Sequence, residues 1–115
     1  MAARKARARP SVPPPPCICE ATRGSLGRVI RGAEITETQA VAARLAGRDV
    51  VICGMETRVN RALARKIENQ VGPNELDPPH ATAGPYALPH FHQVTRNPPG
   101  HTFYETARRK AAKKP

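Results

Sequence analysis

Asp49-Val50-Val51-Ile52-Cys53-Gly54 is a short, unbroken β-branched run that stops at a glycine. Successive side chains of a strand point to opposite faces, so a run with no polar alternation is what a strand covered on both faces requires. This strand is expected at the centre of the core.

Helical signals flank it. Upstream, Ile35-Thr36-Glu37-Thr38-Gln39-Ala40 carries a capping box, in which Thr36 caps the first turn, Gln39 reaches back, and Ile35 and Ala40 staple the entry. That helix is expected to reach about Ala46, with Gly47 as its left-handed terminator and Val41 and Leu45 as its buried stripe. Downstream, a helix from about Met55 to Val71 places Val59, Leu63, Ile67 and Val71 on one face and Arg58, Arg61 and Arg65 on the other. Gly72-Pro73 ends it, and the arginines read as a solvated face. Residues Cys17 to Gly32 hold apolar pairs broken by Gly24, Gly27 and Gly32, which suggests one or two short strands. The stretch after Pro73 is dense in turn residues and reads as loop, strand, tight loop, strand. The fold class expected is α+β, with two helices packed on a small, mainly antiparallel sheet.

At 115 residues the chain holds one domain at most. The net charge of +10 is unevenly spread: about +6 falls on residues 1 to 31, −1 on residues 32 to 106 and +5 on residues 107 to 115. The expected division is a disordered basic, proline-rich N-terminal arm over residues 1 to 16, a folded domain over 17 to 106, and a disordered basic C-terminal arm over 107 to 115. Arms of this kind can track phosphates with strong salt dependence. No run approaches the roughly 18 apolar residues of a membrane span, and the start lacks the apolar stretch of a signal peptide. Cys17, Cys19 and Cys53 are expected as thiols, since Cys17 and Cys19 are too close for an ordinary bridge and their spacing departs from common zinc motifs. Cys53 reads as a small buried hydrophobe.

All four histidines fall within 22 residues, after 79 that contain none. Pairing Leu88 to Thr95 with His101 to Thr106 around a five-residue loop would set His92 opposite Tyr104 and place His90, His92 and Tyr104 on one face. A one-residue slip would bring His101 beside the pair in place of Tyr104. His80, in the stiff loop Asp77-Pro78-Pro79-His80, could fold over the same face. Imidazoles titrate near neutrality, so one can act as base and another as acid. Metal-independent RNA cleavage needs that pair: one removes the 2′-hydroxyl proton, the other protonates the leaving 5′-oxygen, and Arg96 or Tyr104 could stabilise charge on phosphorus. The catalytic candidates are His90, His92, His101, Tyr104, His80 and Arg96. The competing chemistry is zinc binding by the same histidines. No nucleotide-loop, nucleophile-elbow or dinucleotide fingerprint is present, and no cofactor is expected.

Taken together, Gly47-Arg48-Asp49-Val50-Val51, Asn60-Arg61-Ala62-Leu63-Ala64, Pro79-His80-Ala81, Gly84-Pro85, Leu88-Pro89-His90-Phe91-His92 and Gly100-His101-Thr102-Phe103-Tyr104-Glu105 resemble the C-terminal toxin domains of bacterial polymorphic toxins, the variable tips of Rhs-type and contact-dependent systems. The resemblance implies an effector released from a larger carrier, delivered from the producing bacterium into the cytoplasm of a competing cell, and neutralised in the producer by a cognate immunity protein with an acidic contact surface. Many such domains are nucleases, and some with paired histidines are similar to the barnase, EndoU and RelE group of ribonucleases. The substrate expected is RNA, with DNA as an alternative. Two other readings stand beside it: a non-catalytic, ribosome-associated RNA-binding protein held by its basic arms, and a zinc-dependent nuclease.

Overall fold

The structure, a computed structural model, describes residues 14–78 and 84–113. Most of the expected N-terminal arm, residues 1–13, lies outside the described residues. The elements run β1 (Cys17–Arg23), β2 (Val29–Ile35), α1 (Glu37–Leu45), β3 (Val50–Cys53), α2 (Thr57–Val71), β4 (Asn74–Asp77), β5 (His90–Gln93), β6 (Thr102–Tyr104) and β7 (Ala112–Lys113). The strands form one sheet in the order β4-β5-β6-β3-β1-β2-β7. The fold is α+β, as expected, and its sheet is mixed: four neighbouring pairs are antiparallel, while β3–β6 and β2–β7 are parallel. Parallel neighbours need a long crossover, and the chain supplies one between β3 and β6 through α2, β4 and β5.

β3 sits at the middle of the sheet and all four of its residues are buried, the two-sided burial its β-branched run implies. Val50 and Ile52 join Ile18, Phe91 and Tyr104 under Ala40 and Ala43 of α1 and Ala64 and Ile67 of α2. Both helices therefore cover the same face. On the other face Val51 and Cys53 pack with Cys19, Phe103, Leu88 and Ala111, so irregular chain rather than helix covers it.

The capping box of α1 forms, with the Gln39 amide donating to Thr36 Oγ1 (3.1 Å) and the Thr36 amide donating to Gln39 Oε1 (2.9 Å). Gly47 follows with φ +82°. The buried stripe of α1 matches expectation in part: Val41 packs partly buried on the core, but Ala40, Ala43 and Arg44 are the buried residues and Leu45 is 57% exposed. In α2 Ile67 is buried as expected and Leu63 packs partly buried on the core; Asn60, Ala64 and Glu68 also face inward, and Val59 is exposed. The departures arise because small alanines let the helices approach closely and a buried ion pair, invisible to hydrophobic periodicity, occupies the seam.

Two strands were not expected. Asn74-Glu75-Leu76-Asp77 forms β4, which pairs antiparallel with β5. The segment after residue 106, read as a free basic arm, instead returns to the sheet: Ala111 and Ala112 are buried, β7 pairs with β2, and the Arg109 guanidinium donates to the carbonyls of Gly84 (3.1 Å) and Ala87 (2.9 Å). Glu105 holds its start, accepting from the Ala111 amide at 2.8 Å. Spaced alanines fit against a sheet edge, and the charges beside them find carbonyl partners.

The seam ion pair is fully enclosed. Arg44 Nε donates to Glu68 Oε1, and both side chains are 0% exposed. The rest of the guanidinium donates to the carbonyls of Arg48 (3.1 Å), Pro99 (2.8 Å) and Gly100 (3.1 Å). Glu68 in turn accepts from Thr102 Oγ1 (2.8 Å) and from Gln93 Nε2. Gly100, at φ +97°, passes so close that a Cβ would lie 2.6 Å from Arg44 Nη1. One pair thus ties α1, α2, β5, β6 and the β5–β6 loop together. Arg44→Met leaves Glu68 charged and unpaired and is expected to cost about 3–5 kcal/mol in urea denaturation. The double variant Arg44→Met/Glu68→Leu should recover part of that loss; a single-variant loss below about 1 kcal/mol would contradict the assignment.

Candidate functional site

Alternation along β5 sends Phe91 and Gln93 to the helix side, where Phe91 joins the core and Gln93 meets Glu68. His90 and His92 therefore project to the face without helices. The β5–β6 register pairs His90 with Phe103 and Phe91 with Thr102. This differs from the register expected from sequence by an odd number of residues, and an odd shift exchanges the faces of one strand. His101 and Phe103 join the histidines, and Tyr104 does not. The cause is the loop: Arg44 captures the carbonyls of Pro99 and Gly100, so the chain between Gln93 and Thr102 is longer than a tight hairpin turn.

Tyr104, expected beside the pair, packs on Phe91 under the helices, with ring centroids 5.9 Å apart. Burial raises its phenol above the ordinary value, and the nearby Arg61 guanidinium only partly offsets this. Arg96 is exposed in the β5–β6 loop with φ +64° and, among the described residues, makes no hydrogen bond to a histidine. His80 lies outside the described residues.

The remaining three imidazoles form a compact group. Ring centroids are 4.6 Å apart for His90–His101 in an edge-on contact, 6.1 Å for His90–His92 and 6.3 Å for His92–His101. Phe103 walls the group, 5.2 Å from His90 and 5.3 Å from His101. The side chains of His90 and His101 are 18% and 16% exposed, whereas that of His92 is 2% exposed. The first two are partly exposed; His92 lies beneath them.

Carboxylates back the group. The β4–β5 register sets Glu75 opposite His92 and Asp77 opposite His90. Asp77 Oδ2 lies 3.2 Å from His92 Nε2 and 3.8 Å from His90 Nε2. His92 Nδ1 faces the Gln93 carbonyl at 3.0 Å, so both nitrogens of that ring meet oxygen acceptors. Asp49 Oδ1 accepts from the His101 amide at 2.8 Å and lies 3.4 Å from His101 Nδ1. That ring contact is misaligned for a hydrogen bond, leaving Nδ1 without a hydrogen-bond partner among the described residues. Burial would raise the Asp49 carboxyl, but the His101 contacts and the Arg23 guanidinium (3.1 Å) outweigh it and hold the group below the usual carboxylate range. A separate arrangement overlaps this one: ligand atoms of Glu75, Asp77 and His92 all lie within 4.8 Å of one another, a set able to hold a divalent cation.

Asp49, Glu75, Asp77 and Arg23 were not singled out in sequence as parts of the site. The acids of β4 sit in a polar tetrapeptide between Gly72-Pro73 and Pro78-Pro79, where the turn signal hides the strand; Asp49 and Arg23 reach His101 only through strand pairing. No protein-family model, curated protein or solved structure matches this chain.

Burial, reinforced by the neighbouring His101, pushes His90 down from the ordinary 6.5 to about 4. Between those values the unfolded chain binds a proton that the folded chain refuses. The stability linked to His90 is therefore fully present above pH 6.5 and lost as pH falls toward about 4. Urea denaturation across this window should show the fall, and His90→Gln should flatten it; an unchanged slope in the variant would contradict the burial effect.

Proposed function

We propose that this domain is a metal-independent ribonuclease in which His90 and His101 carry out acid–base catalysis. The observation that supports it is the convergence of two partly exposed imidazoles, 4.6 Å apart by ring centroid, from β5 and the start of β6 on the helix-free face of the sheet. His90 is neutral at pH 7 because burial holds it at about 4, so a lone pair is available. With Nδ1 directed at the Leu88 carbonyl (3.4 Å), Nε2 is the atom that accepts the 2′-hydroxyl proton. The 2′-oxygen then attacks phosphorus, the bond to the 5′-oxygen breaks, and His101, as the general acid, supplies the proton to that oxygen. The products are a 2′,3′-cyclic phosphate and a free 5′-hydroxyl.

Asp77, 3.8 Å from His90 Nε2, stabilises the imidazolium formed in the first step. His92 is a positioning residue: it binds Asp77 from below and is too buried to touch substrate. Asp49 orients His101 through its backbone amide and brings the Arg23 guanidinium to the same end of the site. RNA supplies its own nucleophile, so the absence of an activated serine or cysteine motif from the sequence fits this chemistry. The resemblance to polymorphic-toxin tips supports a biological setting: an effector delivered into the cytoplasm of a competing cell, with a cognate immunity protein that presents acidic groups to the basic segments.

A second reading rests on the Glu75, Asp77 and His92 set, which would make cleavage depend on a divalent cation. The two separate in one assay of total RNA and DNA with excess chelator. Cleavage of RNA alone to 2′,3′-cyclic phosphate ends, with His90→Ala and His101→Ala each reducing the rate at least about 100-fold, is the expected result. RNA left intact under chelator but cleaved after metal is restored would move the chemistry to the carboxylate set, and activity retained in both histidine variants would remove the acid–base assignment.

A further inference from the structure

The three cysteines of the chain meet at one point. Cys17 and Cys19 are two apart on β1 and so share a face, and the β1–β3 register sets Cys17 directly opposite Cys53. The three Sγ atoms lie within 4.8 Å of one another, although 34 positions of sequence separate Cys53 from its nearest partner. Cys19 and Cys53 are buried; Cys17 is half-buried and borders an open groove with Arg31, Gly54, Lys110 and Lys113.

We propose that Cys17, Cys19 and Cys53 form a three-thiolate site for a thiophilic d10 cation of the zinc class, with a fourth coordination position open to the groove. All the donors are sulfur, the set that selects such ions. Sulfurs bound to zinc at about 2.3 Å in a tetrahedron stand about 3.8 Å apart, so sulfurs within 4.8 Å of one another need to close by at most about 1 Å, within the reach of side-chain rotation. Three thiolates and a divalent ion carry one net negative charge. Arg31 contacts Cys53, and Lys110 Nζ bonds the Gly54 carbonyl at 3.0 Å on the groove wall, so positive charge faces it. Glu105 is not the fourth ligand, because its two oxygens accept from the amides of Gly54 (3.1 Å) and Ala111 (2.8 Å). Thiols bind such a cation as thiolates, so uptake releases their protons. The site lies on β1 and β3, apart from the histidines on β5 and just before β6, and does not rest on the ribonuclease reading.

The test uses the full chain, reduced and stripped of metal. Titration with cobalt(II) should give a thiolate-to-cobalt charge-transfer band that saturates at one equivalent, and one equivalent of zinc should then displace it. Zinc should also protect the cysteines from a thiol-modifying reagent. Cys17→Ser, Cys19→Ser and Cys53→Ser should each lose the band, with circular dichroism confirming the fold; Cys17 is partly exposed and its variant is the safest of the three. The wild-type spectrum stands apart from any folding defect of the variants. No charge-transfer band, zinc uptake that persists in the cysteine variants but is lost in His92→Ala, or a Cys17–Cys53 disulfide formed in place of metal uptake would each overturn the proposal.

Discussion

The enclosed Arg44–Glu68 pair is the interaction on which the rest of the architecture depends. Two charges removed from water are tolerable only when every remaining donor and acceptor is met. Here the guanidinium is met by Glu68 and three backbone carbonyls, and the carboxylate by Thr102 and Gln93. The carbonyls belong to the α1–β3 turn and the β5–β6 loop, while Thr102 and Gln93 belong to β6 and β5. Satisfying one buried pair therefore dictates how two helices and two strands meet, and where the loop between those strands must run.

That constraint reaches the histidines through geometry. By drawing Pro99 and Gly100 inward, the network sets where β6 begins and hence its register against β5. The register decides the parity of β6, which places His101 and Phe103 on the helix-free face and Tyr104 on the helix face. An antiparallel β4 then completes the surroundings by laying Glu75 and Asp77 opposite His92 and His90. The same face of the sheet carries the cysteine cluster further along, on β1 and β3. The helices cover one face, and the groups with reactive chemistry collect on the other.

Local signals proved reliable where one short segment contains both partners of an interaction. The Thr36–Gln39 capping box spans three residues, Gly47 needs only its own backbone conformation, and the Val50–Cys53 run carries its two-sided burial in its composition. Signals failed where the partner is distant. Leu45 reads as core by periodicity, yet Arg44 is buried in its place because Glu68, 24 residues away, completes its charge. Asn74 to Asp77 reads as turn because nothing in it announces β5, and the alanines of residues 111 and 112 read as tail because β2 is far off in sequence.

The amino-acid sequence alone carries the α+β class, the two helices, the capping box of α1, the central apolar strand and the concentration of histidines near the C-terminal end, since each follows from propensity, period or composition over a few residues. Tertiary structure alone decided which imidazoles share a face, which carboxylates stand behind them and that three scattered cysteines converge. These are matters of strand register and pairing partner, and register is set by the closure of long loops and by buried polar contacts between residues far apart in the chain.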